Sequence, residues 1–349
     1  MKTTLFCKNP YAFGILKPIS DELISRNHSV KWFIPSNIKE KFPYKNECDF
    51  TINIQEIHEF NNDVIFVPGN EVPHYLRGLK VQIFHGLAGE KKGHFRIRKY
   101  FDLYLTQGPY FTNRFKMLAK KYQDFDVIET GWPKLDQLFS QKNLYQIEKT
   151  ELKKKYSVNK IILYAPTFSP SLTSAIDLKD TILTLANTET LLLIKFHDLM
   201  DNKVVSEYKS LCRRIPNAEV VDESNIIKYL ILSDLMISDT SSVVYEFLLL
   251  NKPVITYKSK SKNIKWENIT NPKQLITSVN NTFIEDKFKD QRSWIIKNYH
   301  PYTDGKSSKR MVDAVEKYIK ENPIPEYRKL PWSRKRKMIK MFGNVTKKV

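Results

Sequence analysis

Apolar positions along the chain fall into short runs, separated by longer stretches in which they recur every three or four residues. The runs Thr3–Cys7, Val30–Ile34, Phe50–Ile54, Val64–Val67, Val81–Phe84, Leu103–Thr106 and Val127–Thr130 are strand-length and rich in Val, Ile and Phe, and they predict strands. Between the first two, Tyr11–Arg26 puts Ile15, Ile19, Leu23 and Ile24 on one face of a helix. Tyr110–Tyr122 predicts another helix. Gln141–Lys160 is polar and Lys-rich and reads as a linker with a connecting helix. A second series then begins. Strands are predicted at Ile161–Tyr164, Leu191–Ile194, Glu219–Val221, Leu235–Ile237 and Pro253–Tyr257. Helices are predicted at Asp177–Ala186, Val204–Arg213, Ile226–Leu232, Ser241–Leu250 and Ser307–Ile319. Such alternation is the pattern of a parallel sheet with helices on both faces. The expectation is an α/β chain of two doubly wound domains facing a cleft, at 1–140 and 161–325. A linker at 141–160 joins them, and a basic tail occupies 326–349. A ligand belongs in the crevice at the carboxyl ends of the strands.

The length of 349 residues suits two such domains. Charge adds a second theme. Lys and Arg number 57 against 38 Asp and Glu, a net of +19, which points to polyanionic partners such as nucleic acid, anionic lipid or phosphorylated substrates. From Arg328 onward there are nine Lys or Arg and no acid. Trp332, Met338, Ile339, Met341 and Phe342 are interleaved with Arg328, Lys329, Arg334, Lys335, Arg336, Lys337 and Lys340. That mixture of large apolar and cationic side chains suits an anionic membrane surface, a solvated tail being the ordinary alternative. Cys7, Cys48 and Cys212 are unpatterned, giving neither a disulfide framework nor a zinc site. The N-terminus reads as no signal peptide, and no apolar run reaches the ~20 residues of a membrane-spanning helix. The expected location is cytoplasmic, peripheral on the inner face of the cell membrane.

Candidate chemistry clusters just after predicted strands. His85-Gly86 follows VQIF, Lys195-Phe196-His197 follows LLLI, and Asp239-Thr240-Ser241-Ser242 follows LMIS and opens a helix. His85 has the chemistry of a general base for an attacking hydroxyl, and Gly86 allows close approach. The plain alternative is a strand-end histidine bonding a loop carbonyl. His197 with Lys195 suits phosphate binding, or a solvated basic strand end. The Asp239–Ser242 turn is an anion site or simple capping. Asp304-Gly305-Lys306-Ser307-Ser308 repeats that arrangement ahead of the last helix. Thr167, after ILYAP, lies where it reaches a ligand. His28, His58, His74, His94 and His300 show no telling spacing, and Gly131-Trp132-Pro133 reads as a turn. The zincin HExxH, the phosphate loop GxxxxGK[ST] and the dinucleotide GxGxxG are all absent. No cofactor and no metal is expected.

The ordered set FHGLAGEKKG, TGWPKLD, ILYAPTF, LLIKFH, ISDTSSVVYEFLLLNKPVITY and DGKSSKRMVDAV resembles the CDP-glycerol glycerophosphotransferases of teichoic acid synthesis. The likeness runs from about Gln82 to Val315. It implies a GT-B-like fold of two Rossmann-like domains and a CDP-activated alcohol such as CDP-glycerol as donor. It also implies a lipid-linked or polysaccharide acceptor and release of CMP. Carried over by motif, His85 would deprotonate the acceptor hydroxyl and His197 would contact the donor diphosphate. Thr240, Ser241 and Ser242, with Asp304, Gly305 and Lys306, would complete the diphosphate site. The family often has Trp where this chain has Phe84, and Pro where it has Asp198. These departures keep a second reading open, a GT-B glycosyltransferase using a nucleotide sugar for capsule or lipopolysaccharide. Some polymerising members carry a large N-terminal extension that this sequence lacks, which leans towards a primase-like or single-addition enzyme and leaves polymerisation open. No nucleic-acid recognition motif accompanies the charge, and nucleic acid is not an expected partner.

Overall fold

The computed structural model describes residues 1–89, 93–223, 225–262 and 264–346. Seven strands form a parallel sheet: β1 (Lys2–Phe6), β2 (Ser29–Phe33), β3 (Phe50–Thr51), β4 (Val64–Val67), β5 (Leu79–Gln82), β6 (Leu103–Thr106) and β7 (Asp126–Glu129). Their spatial order is β3-β2-β1-β4-β5-β6-β7. Thr3 of β1 lies opposite Val30 on one side and Val64 on the other. A second parallel sheet comprises β8 (Lys160–Tyr164), β9 (Thr190–Ile194), β10 (Ala218–Val220), β11 (Leu235–Ser238), β12 (Val254–Tyr257) and β13 (Glu267–Ile269), in the order β10-β9-β8-β11-β12-β13. In both sheets the strand order reverses beside the first strand. The switch points lie between β1 and β4 and between β8 and β11, where doubly wound sheets open a crevice.

The central strands read as unbroken apolar runs because both faces are covered. Leu5, Ile65, Phe66 and Val81 in one sheet, and Ile161, Leu163, Leu192 and Ile237 in the other, are almost wholly buried. The edge strands carry more polar residues, such as Asp126 and Glu129 in β7 and Glu267 in β13, as edges do.

The described residues divide into two compact units. Residues from Met1 to Gly86, Phe95 to Gln137 and Tyr299 onward form the first; Leu87 to His94 and Leu138 to Asn298 form the second. The second domain was expected to run to 325, but the chain returns to the first unit at Tyr299. The reason is the helix Ser307–Glu321. Its Met311, Val312 and Val315 are fully buried. It meets the first helix, Phe13–Ser25, through Arg26, which pairs with Asp313 at 2.7 Å and Glu316 at 3.0 Å. The tail is not loose either: Trp332–Phe342 forms a helix in the same unit.

Candidate functional site

In the first unit, His85 stands beyond β5, one strand over from the switch point between β1 and β4. β5 ends at Gln82, and the chain turns through Phe84 in the left-handed region, φ +61°. For a bulky residue this backbone costs about 1–3 kcal/mol. Packing holds it, because the Phe84 ring is buried 5.0 Å from that of Phe115. The exposed imidazole of His85 points its Nδ1 at the Pro68 carbonyl, 3.0 Å away beyond β4. A carbonyl only accepts, so Nδ1 carries the proton and Nε2 is the basic nitrogen. Tyr11, beyond β1, stands with its ring 5.5 Å from the imidazole, and Gln107, beyond β6, donates to the Gly86 carbonyl at 3.1 Å. The carboxyl ends of β1, β4 and β5 thus meet at this histidine, and that of β6 reaches its neighbour Gly86. Glu90, Lys91 and Lys92 of the same motif lie outside the described residues.

A second cluster in this unit joins the segment after β7 to the start of the helix Ser307–Glu321. Gly131 has φ +90°, and a Cβ there would stand 2.5 Å from Ser307 Oγ. Only glycine fits. The Trp132 N–H donates to His300 Nε2 at 2.9 Å. Burial, with Arg310 adding to it, pushes the pKa of His300 down to about 3, so the ring is the neutral acceptor this bond needs. Asp136 accepts from the backbone N–H groups of Ser307 and Ser308, both at 2.7 Å. The helix start expected to receive a diphosphate therefore already holds a carboxylate of its own chain. Asp304 faces inward to its turn, accepting from the Lys306 N–H at 3.1 Å and from Arg310 Nη1 at 2.7 Å. Partial burial opposes its ionisation, but these donors hold its pKa below the usual carboxylate range. Gly305 supplies a left-handed step, φ +66°, and leaves Lys306 as the exposed cation of the turn.

The second unit gathers Thr167, Lys195, His197 and Asp239–Ser242 after β8, β9 and β11. Asp239 is 1% exposed. It accepts from the Thr167 N–H at 2.9 Å and from the N–H and hydroxyl of Ser174, both at 2.8 Å. Burial pushes its pKa up, and these donors work against that. Asp239 is thus a brace across the switch point rather than a group presented to a ligand. Lys195 is also turned inward, donating to the Phe196 carbonyl at 2.7 Å. Thr240 Oγ1 accepts from the Lys260 N–H at 3.0 Å. Ser241 Oγ lies 3.4 Å from the Val243 N–H, while Ser242 is exposed and its side chain makes no cap bond on the helix Val243–Leu248. His197 is exposed, with its ring centroid 4.5 Å from that of Phe168, and its Nδ1 accepts from the Leu199 N–H at 3.1 Å. Lost hydration lowers its pKa, Asp198 opposes that and Lys195 adds to it. A cavity of about 90 Å³ lined by Val254, Trp266, Glu267 and Arg292 opens at the amino ends of β12 and β13, the opposite end of the sheet from these residues.

The expected residues therefore fall into two groups. His85, Gly86, Asp304, Gly305 and Lys306 belong to the first unit. Thr167, Lys195, His197 and Asp239 to Ser242 belong to the second. Asp136, His300 and Arg310 were not foreseen. Arg328, expected to face lipid, is built into the first unit: it is ion-paired with Asp102, and it donates to the Lys99 carbonyl at 2.8 Å and the Asp124 carbonyl at 2.6 Å.

These features meet known proteins at several levels. The staphylococcal teichoic acid ribitol-phosphate polymerase TarK (Staphylococcus aureus strain NCTC 8325 / PS 47) is 26% identical over 300 residues, which is 73% of this chain and 55% of the relative. The teichoic acid glycerol-phosphate primase of Bacillus subtilis strain 168 is 27% identical over 279 residues, 68% of each chain. The chain spans about half to two-thirds of the length of these two relatives. The wall teichoic acid polymerase TagF superposes with a TM-score of 0.65 at 18% identity, covering 91% of this chain and 89% of that one. A UDP-N-acetylglucosamine 2-epimerase of Listeria monocytogenes, described as putative, gives a TM-score of 0.66 at 14% identity, covering 94% and 99%. The shared fold is GT-B-like. The family model described as CDP-glycerol:poly(glycerophosphate) glycerophosphotransferase matches residues 83–265, more than half of the chain, from the strand end that carries His85 to the segment beyond β12. The chain belongs to this glycerophosphotransferase family.

Proposed function

We propose that the chain transfers a polyol phosphate from a CDP-activated polyol, glycerol or ribitol, to a hydroxyl of a lipid-linked or polysaccharide cell-wall precursor, at the inner face of the cell membrane. In the step, His85 Nε2 takes the proton of the acceptor hydroxyl as its oxygen attacks the phosphorus bearing the polyol. The bond from that phosphorus to the CMP oxygen breaks, and CMP departs with the electron pair. A new phosphodiester remains on the acceptor. His197 and Ser242, exposed in the second unit, are the groups assigned to the donor's diphosphate, where positioned donors and charge stabilise the transition state.

The observation that carries this reading is the tautomer of His85. The Pro68 carbonyl 3.0 Å from Nδ1 favours the tautomer with Nε2 as the basic nitrogen, inside the segment that matches the family, and this supports the reading. The test is CMP release by the purified protein with CDP-glycerol or CDP-ribitol and a lipid-linked acceptor. Stabilisation and turnover with UDP-, GDP- or CMP-sugars in place of both CDP-alcohols would overturn it in favour of sugar transfer.

A further inference from the structure

The helix Trp332–Phe342 has two faces with different fates. Its inner face is fixed to the first unit. Met338 is fully buried, and the Phe342 ring meets that of Phe6, at the end of β1, edge-on at 5.2 Å. Lys337 bonds Glu71 at 2.7 Å, and the Tyr75 hydroxyl donates to the Gly343 carbonyl at 2.6 Å. Glu71 also holds Lys8 at 3.0 Å, so the helix is tied to the loops beyond β1 and β4, whose Tyr11 and Pro68 flank His85. The outer face carries Trp332, Arg336, Ile339 and Lys340, spaced i, i+4, i+7 and i+8, and all four are exposed. Trp332 is 68% and Ile339 40% exposed, and the Arg336 guanidinium stacks 4.2 Å over the Trp332 ring. No acid occurs after Glu326.

We propose that this outer face docks on an anionic lipid bilayer, so that the carboxyl rim of the first sheet, with His85, lies at the membrane surface. A polyanion alone would be met by cations. An exposed Trp and Ile on the same stripe ask for an apolar phase beside the charge, and a lipid interface supplies both. Nucleic acid supplies phosphates but gives Ile339 no apolar phase. Among the described residues no helix is long and apolar enough to cross a membrane, so contact is by the surface. The inference deepens the proposed reading by naming the side from which a lipid-linked acceptor arrives, and rests on it only for that.

The test is co-sedimentation of the full chain with vesicles of phosphatidylglycerol and phosphatidylcholine, without nucleotide, so that it stands or falls apart from the transfer chemistry. Binding is expected at low salt and lost at high salt, with little binding to pure phosphatidylcholine. Arg336→Gln with Lys340→Gln should weaken it roughly 10- to 30-fold, and Trp332→Ser by about 5-fold or more. Unchanged thermal midpoints in these surface variants establish that they are folded. Failure of the wild type to sediment with anionic vesicles would overturn the proposal. So would variants that bind like wild type, or binding to single-stranded RNA that the same variants lose while vesicle binding persists.

Discussion

The two sheets use polar residues at their carboxyl ends in opposite ways. Beyond β5 the backbone is forced through a left-handed Phe84, and the result is an imidazole turned outward with its basic nitrogen set by a carbonyl behind it. Beyond β11 an aspartate turns inward and is saturated by the Thr167 and Ser174 donors. The first arrangement stores strain next to a reactive group; the second uses hydrogen bonds to shape a loop that exposes Ser242 and His197. One strand-end polar group thus faces outward and the other inward, even though the sheets share one topology.

This contrast breaks most decisively at His85. His85→Ala should lower CMP release by about 10²–10⁴-fold with no change in thermal midpoint, because the side chain is exposed. A variant with near-normal turnover would remove the base from the scheme. Asp239→Ala should act in reverse, costing about 3 kcal/mol of stability in urea titration, since it strands buried N–H donors of Thr167 and Ser174. A loss below about 1 kcal/mol would show that the brace is not structural.

The pH dependence sharpens the picture within the first unit. His300 has a folded pKa of about 3 against an ordinary 6.5, so folding favours its neutral form. Its contribution is complete above pH 6.5 and is lost as the pH falls towards 3, amounting to about 2 kcal/mol by pH 5. Denaturation at pH 7 and pH 5 should show this loss in wild type and a smaller one in His300→Asn. The smallest effect is expected of Asp136→Asn, which weakens the charge-assisted cap on Ser307 and Ser308 by about 1 kcal/mol and shows as a lower urea midpoint at pH 7.

Both sheets were readable because buried parallel strands such as VIFV and TLLLI are continuous apolar runs between helical stretches. β13, with the sequence ENI, escaped because an edge strand of three residues has no such run. His85 and the Asp239 turn were visible as polar residues at strand ends, yet their opposite orientations were not, since the sequence does not show which carbonyl or amide lies across the crevice. Asp136 and His300 were missed for the same reason: their partners are more than 160 residues away. Arg328 shows the limit of charge counting. A cation within a basic run was read as facing lipid, while Asp102 and the Lys99 and Asp124 carbonyls had already claimed it.

The return of the chain at Tyr299 has a consequence for biogenesis. Ribosomes deliver residues from the amino end, so the seven-stranded sheet emerges first but waits for its covering helices Ser307–Glu321 and Trp332–Phe342 until the whole of the other unit has been made. In that interval the apolar face of Phe13–Ser25 and the Phe6 side chain lack their native cover, so the first unit exposes apolar surface for as long as the second takes to be made.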